Sequence, residues 1–570
     1  MSKQQRRFCP QTSEDLRELI AVLRKGRGGF TLADIDISNV KDLSYLFYED
    51  KDDMPLSEAD FELLSTWDVS EVTNMACMFY HCRNFTGESL ASWDVSKVTN
   101  MRAMFEGCEA FTGEGLKDWD VSQVTDMGYM FCGCTVFTGC SLARWKVSEV
   151  TDMDSMFMKC PLIDDKYLSA WDVSKVTNMW GLFWGSEVLE GRSLAAWDVS
   201  QVRDMSHMFN DCVKFSGQSI ARWDVSRVTD MHSMFEGCES FTGECLGDWD
   251  VSKVEDMHSM FESCPKFTGK SLEKWDVSSV RNMDRMFSSC TSFTGESLAE
   301  WDVSSVRAMT SMFSWCSSFT GEGVKNWDIS SVRFMNWMFA CCDAFTGETL
   351  GSWDVSNVEY MGFMFHNCRS FTGNSLSSWD VSSVVEMTSI FEDCSSFTGE
   401  SLARWKTGAV ESMNEAFAGC YRLRGEAFAG WDVGAVTEMR CMFSGCEALR
   451  GDTEWDWDVS KVKNMTDMFS GCVSFTGKAL SKWDVREVTS MDRMFRHCSA
   501  LESRYLASWQ FAELNSMNFM FFQCENLTGE GLQHWELPEG CLAVHAFTGC
   551  GSLNTELLSD SLKQAAAAGA

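Results

Sequence analysis

This chain has few basic residues for its acidic ones and no long apolar run, and each of these absences excludes a class of function. Lysine and arginine number 48 against 83 acidic residues, which gives a formal charge of −35. Because phosphate binding needs a basic footprint, nucleic acid is not an expected partner. No apolar run approaches the ~18 residues that cross a bilayer, so membrane insertion is not expected. The first residues are basic, but no apolar segment follows them, so a secretory signal is not expected either.

A strict repeat is the dominant feature that is present. Nineteen tryptophans stand 26 residues apart, from Trp67 to Trp535, without insertion or deletion. A unit of this length cannot bury an apolar face alone, so successive copies are predicted to stack into a solenoid with one continuous core. Counted from tryptophan, the consensus is Trp-Asp-Val-Ser-x-Val-Thr-x-Met-x-x-Met-Phe-x-x-Cys-x-x-Phe-Thr-Gly-x-x-Leu-x-x. Catalysis is therefore not the first hypothesis.

Cysteine is abundant and regularly placed. Of the 26 cysteines, 18 occupy the sixteenth position of the repeat, from Cys82 to Cys550. In an apolar pattern this placement is typical of a small buried hydrophobe. Rungs ~4.8 Å apart would also bring the thiols within disulfide range, so disulfides between rungs are the alternative. Zinc is not expected, since each rung offers one thiol and no clustered pair. Free thiols and the missing signal predict a cytoplasmic protein.

The apolar positions predict an α/β repeat solenoid with one short parallel strand and one short helix in each 26-residue rung. Residues 90–95 fit a strand whose alternate side chains point inward. Residues 101–108 follow the i, i+3, i+4, i+7 spacing of a two-turn helix. Asn100 stands where an N-cap would lie, and Gly107 suits a helix stop. One strand and one helix per rung is the geometry of a leucine-rich repeat.

The repeat, intact from Trp93 to Phe111 and from Trp223 to Phe241, resembles that of the BspA-family leucine-rich-repeat surface proteins and the related repeat of mycoplasma lipoproteins. The resemblance covers about residues 35 to 553. It implies a right-handed, leucine-rich-repeat-like solenoid that binds proteins or surfaces, often in bacteria that colonise hosts. It implies no catalytic residues and no cofactor, and it favours the cell surface as the location.

The two ends depart from the repeat and are predicted to cap it. The predicted boundaries are 1–34 for an N-terminal cap, 35–553 for a solenoid of about 20 rungs, and 554–570 for a C-terminal cap and tail. Residues 11–26 are predicted to form an amphipathic helix that covers the first rung. Residues 555–563 are predicted to form a closing helix, and residues 564–570 a frayed tail.

One candidate surface is a column of aspartates at the second position, which is Asp in 15 of 19 rungs. Its representative members are Asp68, Asp94, Asp120, Asp172, Asp198 and Asp224. Like charges at this spacing repel by about 1 kcal/mol in water, so each carboxylate is expected to accept hydrogen bonds from nearby backbone N–H groups. The alternative is that the column binds divalent cations or a basic partner, because oxygen ligands suit calcium. No individual residue is assigned as a metal ligand.

Two smaller polar features interrupt the regular surface. Two rungs reverse the sign of the column and are candidate anion spots, with random drift as the alternative: Arg144 and Lys146 in one, Arg404 and Lys406 in the other. His207, His232 and His258 also lie at positions expected to be exposed. His232 and His258 could share a metal, but two surface imidazoles one rung apart are more often incidental.

A second candidate surface is aromatic. Positions eight, eleven and fifteen mostly carry polar or small residues, but three consecutive rungs place aromatic side chains there. These residues are Trp315, Phe334, Trp337, Tyr360 and Phe363, and a smaller pair elsewhere is Trp180 and Trp184. Exposed aromatic patches mark partner sites, with Trp and Tyr favoured as hot spots, so a protein partner is predicted. The alternatives are local packing and a homo-oligomer contact.

The expected function is therefore a non-enzymatic binding scaffold that mediates protein–protein interaction through rung-to-rung variation on its surface. The alternative is a divalent-cation- or ligand-binding structural protein that uses the aspartate column. No serine–histidine–aspartate set, glycine-rich phosphate loop or metalloprotease motif stands outside the repeat consensus.

Overall fold

In the computed structural model, which describes residues 8–26, 29–48 and 56–568, one kind of rung is repeated throughout. The chain divides into an N-terminal unit, Met1–Val280, and a C-terminal unit, Arg281–Ala570. The α-helices are α1 (Ser13–Arg24), α2 (Glu58–Glu62) and α3 (Asp560–Ala568). Over the described ranges, pairing between rungs is limited to single-residue parallel bridges, and no longer strand occurs. Each unit is thus a stack of rungs without a conventional sheet.

A 3-10 turn recurs in the rungs. In the N-terminal unit these turns are Leu32–Asp34, Leu63–Thr66, Glu88–Ser92, Glu114–Leu116, Cys140–Arg144, Asp165–Tyr167, Leu194–Ala196, Gln218–Arg222 and Leu272–Lys274. In the C-terminal unit they are Glu296–Leu298, Glu322–Val324, Glu348–Ser352, Asn374–Ser378, Glu400–Arg404, Glu426–Gly430, Lys478–Leu480, Ser503–Leu506, Leu532–His534 and Thr555–Leu557. Most of them end just before a tryptophan of the repeat.

The 3-10 turn replaces the strand predicted over residues 90–95. Gly87 adopts the left-handed conformation at φ +84° and precedes the turn Glu88–Ser92. The N–H of Leu90 donates to Gly87 O at 3.2 Å, and the N–H of Trp93 donates to Leu90 O at 3.0 Å. The spacing of three residues between Leu90 and Trp93 is therefore the period of a 3-10 turn. The strand prediction was wrong because it joined the three-residue spacing from Leu90 to Trp93 to the two-residue alternation after Trp93, as if both belonged to one strand.

A ladder of turns replaces the helix predicted over residues 101–108. The N–H groups of Met101, Ala103, Phe105 and Gly107 donate to carbonyl oxygens of the next rung at 2.7 to 3.0 Å. Ala103 and Gly107 have φ values of +55° and +72°, which an α-helix excludes. An isolated two-turn helix is marginal in water, whereas stacking supplies four hydrogen bonds to the neighbouring rung. The helix prediction was wrong for this reason.

Position eight is where neighbouring rungs pair as parallel bridges, for example Asn100 with Asp126 and Phe334 with Tyr360. The Asn100 side chain accepts the N–H of Arg102 at 2.9 Å, so it begins a local turn rather than capping a helix. Because this pairing repeats, equivalent side chains of adjacent rungs stand in register, ~4.8 Å apart.

The core consists of columns of identical residues. Trp119 is 5% exposed and stacks on Trp93 with ring centroids 6.4 Å apart. Cys108 Sγ donates to the carbonyl oxygen of Phe79, in the preceding rung, at 3.0 Å. None of the 26 cysteines, all of which lie in the described ranges, forms a disulfide, and burial raises the pKa of the Cys134 thiol well above its usual value. The prediction that position sixteen is a small buried hydrophobe is confirmed, and the disulfide alternative gains no support.

Helix α1 lies where residues 11–26 predict a cap. Thr12 is its N-cap, and Leu16 and Ile20 are buried. Ser13 Oγ donates to the carbonyl oxygen of Asp42 at 2.5 Å, and Arg17 Nη2 donates to that of Ser44 at 2.8 Å. These carbonyls belong to the first ladder segment, so α1 satisfies acceptors that have no preceding rung.

The C-terminal cap differs from its prediction at both ends of the closing helix, which begins at Asp560 after the 3-10 turn Thr555–Leu557 rather than at residue 555. Helix α3, Asp560–Ala568, continues through most of the segment that was expected to fray. Residues 569–570 of the predicted tail, and residues 1–7 and 27–28 of the predicted N-terminal cap, lie outside the described residues. None of the helices in the described ranges is long and apolar enough to span a bilayer.

Candidate functional site

Four aromatic side chains form two stacks on the surface of the C-terminal unit. Phe334 and Tyr360, at position eight, lie nearly parallel with ring centroids 5.5 Å apart and an interplanar angle of 10°. Trp337 and Phe363, at position eleven, stack at 4.0 Å and 5°. The ladder places equivalent positions in register, so aromatic residues in consecutive rungs necessarily face one another. Four of the five predicted patch residues are brought together in this way.

A cavity of about 590 Å³ lies beside both stacks, within the range of typical ligand pockets, ~300–1,000 Å³. It is lined by Arg285, Thr310, Ser311, Phe334, Asn336, Trp337 and Tyr360. Phe334 and Tyr360 are 40% and 37% exposed, although buried aromatic residues dominate the rest of the unit. We name this cavity and the two stacks the aromatic groove.

The groove is open because the preceding rung carries small residues. Ala308 and Ser311 occupy positions eight and eleven there, one rung before Phe334 and Trp337. Both stacks therefore end at the same boundary between rungs, and neither continues toward Arg285. The sequence predicted the aromatic patch but missed Arg285 and the small residues, because their importance depends on register between rungs.

Trp315 stands apart from the two stacks. It occupies position fifteen, is 59% exposed and has a left-handed φ of +62°. Its N–H donates to the carbonyl oxygen of Ala340 at 2.7 Å. Among the described residues no other aromatic ring contacts it. The predicted membership of Trp315 in one continuous patch is therefore corrected, because positions eleven and fifteen are separated along the ladder.

The carboxylates beside the groove have partners within the chain. Glu359 forms an ion pair with Arg333, whose guanidinium carbon lies 5.9 Å from the Phe334 ring centroid. Glu386 Oε2 accepts a hydrogen bond from Asn336 Nδ2 at 3.1 Å. A Cβ at Gly362 would lie 2.5 Å from Glu386 Oε1, so this bridge across two rungs requires glycine between them.

The smaller predicted pair belongs to a larger aromatic cluster in the N-terminal unit. Trp180 and Trp184 meet edge to face at 6.0 Å, and His207 stacks on Trp184 at 4.8 Å and 11°. His232 contacts His207 at 4.6 Å and stacks on His258 at 4.4 Å. We name these five residues the histidine–tryptophan cluster. The tryptophans and the histidines were predicted as separate features, and their contact was not predicted.

Electrostatics distinguish the histidines of this cluster. Burial, together with the neighbouring imidazoles of His232 and His258, lowers the pKa of His207 to about 4. His232 Nδ1 lies 2.7 Å from Asp230 Oδ1, and His258 Nδ1 lies 2.9 Å from Asp256 Oδ1. His207 instead lies 3.1 Å from the Asn210 amide through Nδ1. The neutral form of His207 is therefore favoured near neutral pH.

The aspartate column makes the local hydrogen bonds that were predicted. In each representative member Oδ1 accepts the backbone N–H of the serine two residues later at 3.1 Å. The members are Asp68, Asp94, Asp120, Asp172, Asp198 and Asp224. The Ser96 hydroxyl and N–H lower the pKa of Asp94 by this contact. The carboxylates thus stabilise the corner that follows each buried tryptophan.

The two candidate anion spots lie in different units. Arg144 and Lys146 are exposed side chains of the N-terminal unit. In the C-terminal unit, Lys406 Nζ lies 4.0 Å from Asp380 Oδ2 of the preceding rung, whereas Arg404 is exposed. Lys406 therefore reduces repulsion within the aspartate column.

No group of three or more His, Cys, Asp or Glu residues suited to holding a metal occurs in residues 8–26, 29–48 and 56–568. His232 and His258 approach each other through their ring faces rather than around a common point. Within the described residues, neither these two histidines nor the aspartate column forms a cluster suited to holding a metal.

Among solved structures, the chain is similar to a TLR13–ssRNA13 complex at 10% identity, covering 90% of each chain, with a TM-score of 0.14. It is similar to the functional domain of InlJ from Listeria monocytogenes, which includes a cysteine ladder, at 10% identity and a TM-score of 0.14. That match covers 72% of this chain and 69% of the other. A TDR receptor matches at 10% identity over 86% and 92% of the two chains, with a TM-score of 0.15. No curated protein matches significantly.

One family model recognises the repeat directly. Its description is "Mycoplasma protein of unknown function, DUF285". Its matches cover residues 41–167, 137–248, 163–270, 242–350, 335–455, 413–535 and 453–560. The mycoplasma part of the resemblance predicted from the repeat is thereby confirmed. Because the overlapping matches extend from residue 41 to residue 560, the chain belongs to the DUF285 family.

Proposed function

We propose that the protein is a non-enzymatic binding scaffold and that the aromatic groove is its principal partner site. The observation that carries this proposal is the pair of exposed stacks beside a cavity of about 590 Å³. The repeated Trp and Phe columns of the rungs are buried, so these partly exposed stacks cost hydration free energy unless a partner covers them. Trp and Tyr supply large contact area with few rotatable bonds, which suits binding hot spots.

The resemblance to BspA-type surface proteins supports a role in contacting proteins or host surfaces. We propose a protein partner rather than nucleic acid, because the chain carries a formal charge of −35 and would be repelled by phosphates. The free thiols support a reducing compartment such as the cytoplasm, whereas the resemblance supports the cell surface. Labelling of intact source cells with an impermeant probe, followed by capture of the protein, distinguishes the two locations.

The test of the partner site replaces two stacked side chains with small polar ones. The double variant Trp337→Ser, Phe363→Ser should lose at least 90% of specific partner capture from source or host lysate, measured by quantitative mass spectrometry. Far-ultraviolet circular dichroism should remain unchanged, because both side chains are only half-buried. Val473→Ser, Tyr421→Ser is the matched control, since both residues are exposed apolar side chains of the same unit.

Full capture by the double variant would contradict the proposal. Loss of self-association without loss of any other partner would identify the groove as a homo-oligomer contact instead. Sedimentation velocity of wild-type and variant chains separates these two outcomes.

A further inference from the structure

Resting on the proposed function, we infer that the aromatic groove binds an acidic peptide segment of a partner protein through one aromatic side chain. The inserted ring stacks on Trp337 on one side and faces Arg285 on the other. The acidic residues that flank it on the peptide pair with arginines beside the groove.

The position-eleven column lacks one ring at this place. In consecutive rungs the column reads Arg285, Ser311, Trp337 and Phe363. Phe363 covers one face of Trp337 at 4.0 Å, but the serine on the other side is too small to cover the second face. Position eight repeats the arrangement, since Ala308 precedes Phe334. Trp337 therefore offers an uncovered ring face to the cavity, whereas the Arg333 guanidinium lies over the Phe334 ring at 5.9 Å.

The space left by Ser311 has the thickness of one ring. Two rung spacings, ~9.6 Å, separate the positions of Arg285 and Trp337. A ring in contact on both faces needs twice the ~3.5–4.0 Å contact distance between carbon atoms, about 7–8 Å. A helix, about 10–12 Å across with its side chains, is too thick to enter. A single planar side chain on an extended peptide fits.

The aromatic groove also offers a hydrogen-bond donor to a ligand, the indole N–H of Trp337. Within the part of the chain that the structure describes, no acceptor lies in hydrogen-bond range of Trp337 Nε1. Most repeat tryptophans differ in this respect: Trp327 Nε1, for example, donates to Leu298 O at 3.0 Å. Trp337 can therefore donate to a backbone carbonyl or a carboxylate of the bound peptide.

Charge selects an acidic peptide. Across the described residues, Arg281, Arg285 and Arg307 take part in no ion pair, in a chain whose formal charge is −35. Arg285 lines the cavity, and Arg281 and Arg307 occupy position seven of the two rungs that precede the rung of Phe334 and Trp337. Arginines without an ion pair beside the aromatic groove favour a partner peptide that carries carboxylates on both sides of its aromatic residue.

The carboxylates close to the groove do not cancel this charge. Asp284 Oδ1 accepts the N–H of Thr310 at 2.6 Å. Glu359 is paired with Arg333, and Glu386 accepts from Asn336. Asp284 and Glu386 keep their negative charge when they accept these hydrogen bonds, but the three arginines outnumber these two carboxylates.

The probe is the peptide acetyl-Asp-Glu-(4-fluorophenylalanine)-Asp-Glu-amide, followed by ¹⁹F NMR as the full-length chain is added. We expect saturable binding with an upfield shift of the fluorine resonance, caused by the ring current of Trp337. A peptide with trifluoroleucine in place of the aromatic residue, and one with lysine in place of the acids, should bind at least tenfold more weakly. Equal binding of all three peptides, or no binding of the first, overturns the inference.

A substitution that fills the space left by Ser311 tests where the ring of the peptide inserts. Ser311→Phe should weaken binding of the probe at least tenfold, because its own ring takes the place next to Trp337. Cys441→Phe is the matched control at position eleven of another rung in the same unit. Both sites have left-handed φ values, +56° and +54°, and Trp337 shows that an aromatic residue tolerates this conformation at +61°. Unaltered binding by Ser311→Phe overturns the inference, and Ser311→Leu serves if Ser311→Phe does not fold.

Removing charge tests the preference for acidic residues. The triple variant Arg281→Gln, Arg285→Gln, Arg307→Gln should bind the acidic probe at least tenfold more weakly. The control Lys325→Gln, Arg404→Gln, Arg422→Gln removes the same charge from exposed sites of the same unit and should bind like wild type. Equal loss in the two triple variants would show a general charge effect and overturn the inference.

The outcome also distinguishes this inference from the proposed function on which it rests. If no acidic aromatic peptide binds, but Trp337→Ser, Phe363→Ser still abolishes partner capture, the inference fails and the binding scaffold stands. If neither effect is observed, both fail. Stronger binding of a neutral oligosaccharide than of the peptide, detected by saturation-transfer NMR, overturns the inference in favour of a different ligand class.

Discussion

The histidine–tryptophan cluster and the aromatic groove occupy the same ladder segment of the rung, but they differ in how far the ring contacts of the tryptophan continue from rung to rung. In the cluster, Trp184 is covered by His207 at 4.8 Å, and ring contacts continue through His232 to His258. In the groove, the stack on Trp337 stops at Ser311. A single side chain one rung away therefore decides whether an aromatic column is closed or open.

This difference shows how a regular scaffold acquires a local site. The backbone hydrogen bonds at position eleven are equivalent in the two places: the N–H of Gly181 donates to Ser206 O at 2.9 Å, and the N–H of Trp337 donates to Gly362 O at 3.0 Å. Function can therefore change without any change in the rung itself. A covered column contributes mainly to stability, whereas an uncovered one retains contact area for a partner.

The largest effect that separates the two places is on stability. Trp184→Ser should lower the free energy of unfolding of its rungs by about 2 kcal/mol, roughly half the cost of truncating a fully buried tryptophan. It removes the stack on His207 and the hydrogen bond from Trp184 Nε1 to Asp211 Oδ2 at 3.3 Å. Trp337→Ser should cost only about 1 kcal/mol, because one face of Trp337 has no ring to lose.

Hydrogen–deuterium exchange of peptides that cover each rung measures both losses in the full-length chain. Equal destabilisation by the two substitutions would contradict the distinction between a covered and an uncovered column. The reverse order would show that the groove is the more rigid of the two places.

A smaller effect is expected on the pH dependence of the cluster. The pKa of His207 is about 4 in the folded chain, below its ordinary value of 6.5. Between these values the unfolded chain binds more protons, so the contribution of His207 is full above pH 6.5 and is lost as the pH falls toward 4. After allowance for solvent screening of a half-buried ring, the loss should be about 1 kcal/mol.

Urea unfolding of wild type and His207→Gln at pH 7.5 and pH 4.5 measures this contribution as a difference of differences. His534→Gln, which changes an exposed histidine, is the control. An identical pH dependence in wild type and His207→Gln would show that the ring is already solvated. The groove is not a histidine-free reference for this measurement, because His366 contacts the rings of both Trp337 and Phe363.

The sequence predicted those features of the two places that depend on the spacing of residues in the repeat. The 26-residue tryptophan spacing established the stacking, and the register of Cys108 and its equivalents established the buried thiols. The exposed aromatic positions were also correct, since Phe334 and Tyr360 are among the exposed large apolar residues. These features follow from which residues recur at which spacing, whatever backbone conformation carries them.

The sequence could not predict what depends on hydrogen bonds between rungs. The spacing of residues 101–108 fits a helix and a chain of turns equally well. In the structure the N–H of Ala103 donates to Gly128 O of the next rung rather than to a carbonyl of its own rung. For the same reason the groove could not be recognised as open. Ser311 is unremarkable along the chain, and it matters only because the ladder places it beside Trp337.

The smallest expected effect completes the open column. Ser311→Phe should raise the free energy of unfolding of its rung by about 0.5 kcal/mol, because a new ring stacks on Trp337 and such pairs contribute ~0.5–1.5 kcal/mol beyond burial. Part of that gain is offset by the added side-chain entropy of ordering the ring. Cys441→Phe should give no gain, since Glu415 and Asp467 hold the neighbouring places in its column. Exchange rates of peptides spanning residues 301–345 measure the effect. A destabilised Ser311→Phe rung would mean that Thr310 and Asn336 already fill the space, and that the groove opens only in contact with its partner.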